Sequence, residues 1–313
     1  MPHKKNGKIR EKQLYKCLDC GRQFTNSKQL VSTSKLYDDY VHGKQTLKQL
    51  SDKYNISVST IQRRFKTLRS KRYISKDKSV IVHMDTTYRG KDFGVVVMRD
   101  SISSKVIWRK FIRRKEMVAD YREGIDWLNN NGFHIIAIVC DGLKGIYKEF
   151  KDYHIQMCQY HQIKIVRRYL TQSPELPAAI ELLHLVNQLT EMDKDSFIGA
   201  YNQWNIKWET FLKESRIDDK TKRKVYIHKR LRSANHSLKI NMKYLWTWYD
   251  NIDLNIPNTN NSLEGYFKHL KAYLNSHSGL SKEHCSIFID KYIAKEYEQY
   301  PPLRSVYCSY SLS

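Results

Sequence analysis

Two short apolar runs in this sequence each end at an aspartate, and this pattern constrains the fold more than any other feature. Val80–Met84 precedes Asp85, and Ile135–Cys140 precedes Asp141. Runs of this length that are rich in β-branched residues predict buried strands. Each aspartate is therefore expected at the end of a strand.

The elements around these two runs predict an α/β protein with an RNase H-like core. The chain reads strand, strand, strand, helix, strand, helix, strand over Val80–Met84, Phe93–Met98, Val106–Phe111, Glu116–Asn129, Ile135–Val139, Gly145–Tyr153 and Ile155–Cys158. This is the order of the RNase H-like fold, in which the first three strands form an antiparallel meander. The first and fourth strands are neighbours in such a sheet, so Asp85 and Asp141 are expected close together.

A third acidic residue lies much later in the chain. Glu264 follows an Asn-rich loop and begins a segment with apolar residues at helical spacing. Two-metal phosphodiester chemistry needs carboxylates that flank both ions, and hard carboxylate oxygens suit magnesium. Asp85, Asp141 and Glu264 are therefore predicted to be catalytic and to bind Mg²⁺ or Mn²⁺, with two ions expected. Each signal alone is weak, because a strand-end aspartate is often a turn residue and a first-turn glutamate is often a capping partner.

The chain is strongly basic, with a formal net charge of +23 over 313 residues. The charge is concentrated at the start, where residues 1–80 contain 20 Lys and Arg against 6 Asp and Glu. This imbalance favours a polyanionic partner, and double-stranded DNA is predicted rather than a membrane surface. We find no signal peptide or membrane-spanning stretch, and the scattered cysteines fit a reducing interior. A cytoplasmic, nucleoid-associated protein is expected.

Residues 29–72 predict a helix-turn-helix DNA-binding domain. Leu47, Leu50 and Tyr54 share one face of a first helix, and a second helix begins at the capping residue Ser57. The second helix would enter the major groove. The predicted DNA-binding side chains on it are Ser59, Thr60, Gln62, Arg63, Arg64 and Lys66. An ordinary helical hairpin is the alternative.

Residues 1–28 predict a small basic module with an incomplete zinc site. Cys17 and Cys20 form a Cys-x-x-Cys-Gly knuckle, in which the turn brings two thiolates to one metal. A closed structural zinc site needs four ligands, and Met1–Gly7 lies where a first cysteine pair would be expected. Zn²⁺ binding is therefore expected to be partial at best.

The remaining segments complete the predicted domain division. Residues 73–79 are predicted as a linker, residues 80–161 as the RNase H-like core with the two aspartates, residues 162–255 as an all-helical insertion, and residues 256–313 as the end of the core and a tail. The insertion carries a basic stretch over Lys222–Lys239, in which Arg230 and Arg232 are predicted to contact DNA.

With these motifs in place, the chain resembles the DDE transposases of prokaryotic insertion sequences, in the branch related to eukaryotic Mutator-like elements. The resemblance covers essentially the whole chain. Its more specific marks are Cys158–His161, which is similar to the Cys-x-x-His motif of this branch, the basic segment Arg230–Ala234, and the glutamate box Pro257–Gly265 with Leu270, Lys271 and His277–Ser281.

The resemblance implies a metal-dependent enzyme that binds the terminal inverted repeats of its element, cleaves there to free 3′-hydroxyls, and joins them to target DNA. It also implies a homodimer or higher multimer. Cys158, His161 and Asn260 are predicted to support the active site, although Cys158 and His161 could equally form a buried strand end. Two alternatives stay open: a DNA-binding regulator with an inactive RNase H-like domain, and a metal-dependent nuclease without strand transfer.

Overall fold

Residues 1–70 and residues 71–313 form two compact units in the computed structural model of the chain. The structure describes residues 2–9, 12–25, 31–68, 72–74, 79–277, 279–299 and 306–308. Residues 69–71 of the predicted helix-turn-helix domain, and Ser278 of the glutamate box, lie outside the described residues. The finer five-part division of the chain stays a prediction.

The first unit begins with a three-stranded antiparallel sheet. Its strands are β1 (His3–Ile9), β2 (Lys12–Cys17) and β3 (Gln23–Thr25), with β2 in the middle. The rings of His3, Tyr15 and Phe24 pack against one another on this sheet.

Three short helices follow in the same unit: α1 (Thr33–Val41), α2 (Leu47–Tyr54) and α3 (Val58–Lys66). The predicted cap is present, because the Ser57 side chain accepts a hydrogen bond from Thr60 N. A turn at Asn55, whose φ is 52°, separates α2 from α3. Helix α1 was not predicted from the sequence. It supplies Leu36, Tyr37 and Tyr40 to the buried core of these three helices.

The second unit begins with a strand where a linker was predicted. β4 (Arg72–Ile74) pairs antiparallel with Val306–Cys308. The prediction of a linker over 73–79 is therefore wrong at residues 73 and 74, and it is also wrong at Ser79, where the next strand begins. Residues 75–78 lie outside the described residues.

The main sheet of the second unit has five strands. They are β5 (Ser79–Tyr88), β6 (Gly94–Asp100), β7 (Val106–Ile112), β8 (His134–Cys140) and β9 (His154–Met157). The order across the sheet is β7-β6-β5-β8-β9. The first three strands are antiparallel, and β5, β8 and β9 are mutually parallel. This mixed sheet is consistent with an RNase H-like core, and it confirms that the first and fourth strands of the core are neighbours.

Helices and one small hairpin cover and extend this sheet. The helices between β7 and the glutamate box are α4 (Val118–Asn130), α5 (Ile146–Glu149), α6 (Gln159–Leu170), α7 (Pro177–Asn187), α8 (Lys194–Lys213), α9 (Lys229–Leu245) and α10 (Thr247–Asp250). The helix predicted over Gly145–Tyr153 is only a single turn. The region 162–255 is also not purely helical, because β10 (Ser215–Ile217) pairs with β11 (Lys224–Tyr226).

The chain returns to the sheet after a 3₁₀ turn at Ile252–Leu254. α11 (Asn261–Asn275) carries the glutamate, α12 (Lys282–Gln299) follows, and β12 (Val306–Cys308) is the strand that pairs with β4. The sheet has an apolar layer on each face. Val82, Met84 and Ile138 pack on the side of α4, while Ile81 and Val139 pack with Ile256 on the other side.

Helices α6, α7, α8 and α9 have an apolar core of their own. Phe197, Trp204 and Trp246 are buried in it, and Trp204 Nε1 donates to the carbonyl of Ala178 at 3.0 Å. No helix in the described ranges is both long and apolar enough to cross a membrane.

Candidate active site and nucleic-acid interface

The register of β5 and β8 brings the two predicted aspartates level with each other. His83 pairs with Val139 in the parallel ladder, so two further residues on each strand lead to Asp85 and Asp141. Side chains alternate between faces along a strand, and both aspartates therefore share the face of Ile81 and Val139. Asp85 lies inside β5 rather than at its end, because β5 continues to Tyr88 in the hairpin with β6.

The environment of Asp85 disfavours a lone negative charge. Burial is the main cause, and the neighbouring carboxylates of Asp141, Glu116 and Glu264 add to it, so that the pKa of Asp85 rises to about 8. A bond from Thr86 N to Asp85 Oδ1 at 2.7 Å partly opposes this effect. A bound cation would reduce the repulsion between carboxylates that lie together in such a half-buried pocket.

The Cys-x-x-His motif and the glutamate box are joined by direct hydrogen bonds. Asn260 N donates to Cys158 Sγ at 3.1 Å. Gln159 N donates to the carbonyl of Asn258 at 3.0 Å, and Asn258 Nδ2 donates to Gln159 Oε1 at 3.0 Å. The beginnings of α6 and α11 are therefore held together, although about 100 residues separate them in sequence.

Two further contacts connect Cys158 and Asn260 to the strands that carry the aspartates. Cys158 N donates to the carbonyl of Cys140 at 2.8 Å, directly before Asp141. His83 Nδ1 lies 2.6 Å from Asn260 Oδ1, two residues before Asp85. Because Cys158 and Asn260 are fully buried, these bonds fix where α11 begins relative to the aspartate pair.

Glu264 lies in the first part of α11 and is held by two side chains of α6. Lys164 Nζ lies 2.9 and 3.0 Å from its two carboxylate oxygens, and His161 Nε2 lies 3.2 Å from Oε1. Burial is the main cause that lowers the pKa of His161. The neutral imidazole can donate one hydrogen bond to Glu264 without carrying a charge.

The residues fit a divalent cation in part. The aspartate pair offers hard oxygen ligands at adjacent strands, and burial together with the neighbouring carboxylates raises the pKa of Asp85. Within the described ranges, however, no three His, Cys, Asp or Glu side chains are close enough together to hold one ion. Glu264 is bound to Lys164 and His161 instead, so the predicted trio is not assembled as a metal centre in this arrangement.

Several residues of this site were missed by the sequence analysis. Tyr121 OH bonds Glu116 Oε2 at 2.6 Å and lies 2.9 Å from Thr86 Oγ1, which brings a fourth carboxylate near Asp85. For His83, the available signal was its position two residues before Asp85 on the same strand face. For Lys164, it was the spacing of three from His161 on one helix.

The side chains predicted on α3 divide into two groups. Ser59, Gln62, Arg63 and Lys66 are exposed. Thr60 is half-buried and accepts a hydrogen bond from Ser57 Oγ at 2.9 Å. Arg64 Nη1 donates to the carbonyl of Val31 at 3.0 Å, so this guanidinium already has a partner inside the unit.

The basic residues predicted in the 162–255 region also differ from each other. Arg230 is exposed at the start of α9, and its Nη2 donates to the carbonyl of Arg168 at 3.1 Å. Arg232 is half-buried, stacks over the ring of Tyr226 and donates to the carbonyl of Leu212 at 2.6 Å. Arg232 therefore contributes to packing between α9 and β11, while Arg230 is the more accessible of the two.

The cysteines of the predicted zinc knuckle lie at one end of the small sheet. Cys17 is buried and Cys20 is exposed. Hydrogen bonds from the backbone of Cys20 and Asp19 lower the pKa of the Cys17 thiol. Neither cysteine belongs to a described group of three metal-ligating side chains, so zinc binding stays a prediction that two thiols alone do not complete.

Comparison with known proteins adds little to this geometry. No protein-family model matches the sequence, and no curated protein matches it. Among solved structures, the chain is similar to one described as the crystal structure of the Mos1 strand transfer complex, with 11% sequence identity and a TM-score of 0.20. The match covers 60% of this chain and 79% of the other. Similarity at this level carries no functional argument.

Proposed function

We propose that this chain is a DDE-type transposase, a metal-dependent enzyme that cleaves DNA at the ends of its mobile element and joins the 3′-hydroxyl ends to target DNA. The observation that carries this proposal is the pair Asp85 on β5 and Asp141 directly after the adjacent parallel strand β8. Glu264 lies on α11, and Asn260, just before this helix, contacts His83 on β5 and bonds Cys158, which in turn bonds the carbonyl of Cys140. The contacts between Cys158–Gln159 and Asn258–Asn260 support the proposal, because both segments belong to motifs of the sequence resemblance.

The aspartate pair would hold the metal, with Glu264 as the third ligand. A divalent ion bound there supplies charge stabilisation and an activated oxygen for phosphodiester cleavage. The protein's own groups do the positioning. Asn260 and Cys158 fix the start of α11, and Lys164 offers a cation at the mouth of the site, where a DNA phosphate would compete with Glu264 for it.

DNA recognition is proposed for α3. Its exposed side chains include Arg63 and Lys66, which would neutralise phosphates, and Gln62, which suits a base edge. Arg230 on α9 would add a phosphate contact in the other unit. Each contributes to the electrostatic binding that a net charge of +23 favours.

Joining of a pre-cut end tests this proposal against its alternatives. A DNA fragment that ends in the inverted repeat of the element is incubated with supercoiled plasmid and Mg²⁺, and the covalent product is counted. The transposase joins the two DNAs, and Asp141→Asn abolishes joining. Hydrolysis without joining indicates a nuclease, and binding without any DNA chemistry indicates a regulator with an inactive core.

A further inference from the structure

The hairpin of β10 and β11 carries a dense set of cations at the surface of the second unit. Residues 215–226, which we call the basic hairpin, contain five Lys or Arg and two Asp. All five cations are exposed: Arg216, Lys220, Lys222, Arg223 and Lys224. The described ion pairs of the 162–255 region involve other residues, so none of the five has a carboxylate partner within the described ranges. Cations this close together repel one another, and a polyanion would reduce the repulsion.

The lysines of the preceding helix, α8, behave differently. Lys207 Nζ lies 2.6 Å from Glu181 Oε1, and Lys213 Nζ lies 2.5 Å from Glu209 Oε1. Both lysines are as exposed as those of the basic hairpin, yet each is neutralised by a neighbouring glutamate. Surface exposure alone therefore does not explain why the cations of the basic hairpin have no acidic partner.

The tip of the basic hairpin is an ordered turn. Asp218 N donates to the carbonyl of Arg223 at 2.9 Å, and Lys222 N donates to the carbonyl of Asp218 at 2.8 Å. Thr221 N and Oγ1 donate to Asp218 Oδ1 at 2.7 and 2.9 Å. The carboxylate of Asp218 is thus used within the turn, and the cations beside it are held in place before any ligand binds, which lowers the entropy cost of binding.

The base of the basic hairpin is fastened to the helices on either side. Ile227 N donates to the carbonyl of Glu214 at 3.0 Å, and His228 Nε2 lies 2.8 Å from Glu214 Oε2. The ring of His228 also stacks on Phe211 of α8, with 3.8 Å between the ring centroids. The direction of the hairpin is therefore fixed at the point where it leaves α8 and returns to α9.

Both faces of the ribbon are open to solvent away from this base. Arg216 pairs with Val225, and Ile217 pairs with Lys224. Cross-strand partners share a face and successive residues alternate between faces, so Arg216 and Lys224 lie on opposite faces. Both are exposed, and Ile217 is 60% exposed. The major groove of B-DNA is wide enough to admit such a two-stranded ribbon.

The basic hairpin is also connected to the proposed catalytic residues within the same unit. Arg230, at the start of α9, bonds the carbonyl of Arg168, which is four residues, or about 6 Å, beyond Lys164 along α6. Lys164 in turn contacts Glu264. The chain from Arg230 back to Lys224 spans at most about 20 Å. A duplex of about ten base pairs is therefore long enough to reach from the acidic site to the basic hairpin.

We propose that the basic hairpin is a DNA-binding arm that enters the major groove of the duplex held at the aspartate pair. Arg216 and Lys224, on opposite faces of the ribbon, contact the two phosphate backbones that border the groove. Ile217 faces the base edges, where the methyl group of thymine offers an apolar contact. The inference deepens the proposed function and rests on it, because it needs a duplex at Asp85.

The salt dependence of duplex binding tests this inference. Binding of the full chain to a labelled duplex is followed by fluorescence anisotropy in EDTA, at salt concentrations between about 50 and 200 mM. Arg216→Gln combined with Lys224→Gln removes two charges while keeping long polar side chains. This double variant should reduce the slope of log affinity against log salt by about two. Lys207→Gln combined with Lys213→Gln removes the same charge from α8 and should keep the wild-type slope.

Disulfide trapping tests the groove separately. Ile217→Cys is mixed with duplexes that carry an activated disulfide either at C5 of a thymine, in the major groove, or at N2 of a guanine, in the minor groove. The covalent product should form with the major-groove duplex and exceed that of wild type, whose native cysteines give the background. Equal trapping by both duplexes, or trapping only from the minor groove, would contradict the inference.

The outcomes separate this inference from the proposed function. If both double variants change the slope equally, only net charge matters, and the inference is wrong while the proposed function stands. If Arg216→Gln with Lys224→Gln keeps the wild-type slope, the inference is also wrong, and a lower oligomeric state of this variant in sedimentation equilibrium would identify a second copy of the chain as the partner. If wild type binds no duplex, the proposed function fails, and the inference fails with it.

Discussion

Lys164 and Glu264 form a two-point contact across helices α6 and α11, with Lys164 Nζ at 2.9 and 3.0 Å from the two carboxylate oxygens. The lysine is partly exposed, with 43% of its side chain accessible. An ion pair in such a position contributes only about 0–1 kcal/mol to stability. The main effect of this contact is therefore that Lys164 competes with a metal ion for Glu264, and its contribution to the stability of the fold is small.

Removing this lysine should make the acidic site a better cation site. We expect Lys164→Met to bind Mn²⁺ several-fold more tightly than wild type, because Glu264 no longer has a competing partner, while Glu264→Gln binds it more weakly. Isothermal titration with Mn²⁺ measures both. Lys213→Met breaks another exposed Lys–Glu pair and serves as the control with unchanged affinity. Weaker Mn²⁺ binding by Lys164→Met would contradict this account.

The thiol of Cys158 should act as a structural hydrogen-bond acceptor. Cys158→Ala leaves the buried N–H of Asn260 without its acceptor, and we expect a loss of about 1–3 kcal/mol in the free energy of unfolding. Cys158→Ser keeps an acceptor at the same place and should lose clearly less. Urea denaturation of both variants compares them, and equal stabilities would show that the thiol only fills space.

Asp120 should give the second unit an acid-sensitive contribution to stability. Although burial opposes ionisation, bonds from Arg114 at 2.8 Å and Lys110 at 3.0 Å lower the pKa of Asp120 to about 2. This folded-state pKa lies below the unfolded value near 3.8. The unfolded chain therefore binds the proton first as the pH falls, and the contribution present above pH 4 is lost between about pH 4 and pH 2.

The variant Asp120→Asn tests this pH dependence. Its free energy of unfolding should lie about 1–2 kcal/mol below that of wild type at pH 5–7, and the difference should shrink below pH 4. Asp126→Asn, an exposed position on the same helix, is the control. A difference between Asp120→Asn and wild type that does not change with pH would show that the ion pairs are not its cause.

Arg63 and Arg64 should behave differently although they are adjacent on α3. Arg63 is exposed, and Arg63→Ala should weaken duplex binding and reduce the slope of log affinity against log salt by about one. Arg64 already bonds the carbonyl of Val31, so Arg64→Ala should mainly lower the melting temperature. Anisotropy at several salt concentrations, together with thermal melts, distinguishes the two. A similar loss of salt dependence in both variants would contradict this division.

The order of the core strands could be predicted from the sequence because it depends on local signals. Apolar runs such as Val80–Met84 and Ile135–Val139 are visible in the chain, and the neighbouring positions of the first and fourth strands follow from the order of elements. The short hairpin of Ser215–Ile217 and Lys224–Tyr226 was missed, since each strand has only three residues and lies in a polar, charged stretch, which is too short for a strand pattern to appear.

The contacts that complete the candidate site could not be predicted in the same way. His83 and Asn260 are 177 residues apart, and no periodic pattern connects them. The partner of Glu264 could not be identified from the sequence either, because Lys164 is one of many lysines in a basic chain. Only the tertiary arrangement of α6 and α11 brings this lysine to Glu264. Sequence patterns place residues on elements, whereas the pairing of side chains depends on the tertiary arrangement.

Iron-directed cleavage of the polypeptide tests the central claim that Asp85 and Asp141 share a divalent cation. Fe²⁺ replaces Mg²⁺, ascorbate and peroxide generate hydroxyl radicals at the bound ion, and the cut positions are read by mass spectrometry. We predict cuts near residues 85 and 141, with a further cut near 264 when DNA is bound. These cuts should be lost in Asp141→Asn and kept in Asp152→Asn, an exposed acidic position outside the site. Cuts elsewhere in the chain, or cuts that persist in Asp141→Asn, would contradict the account.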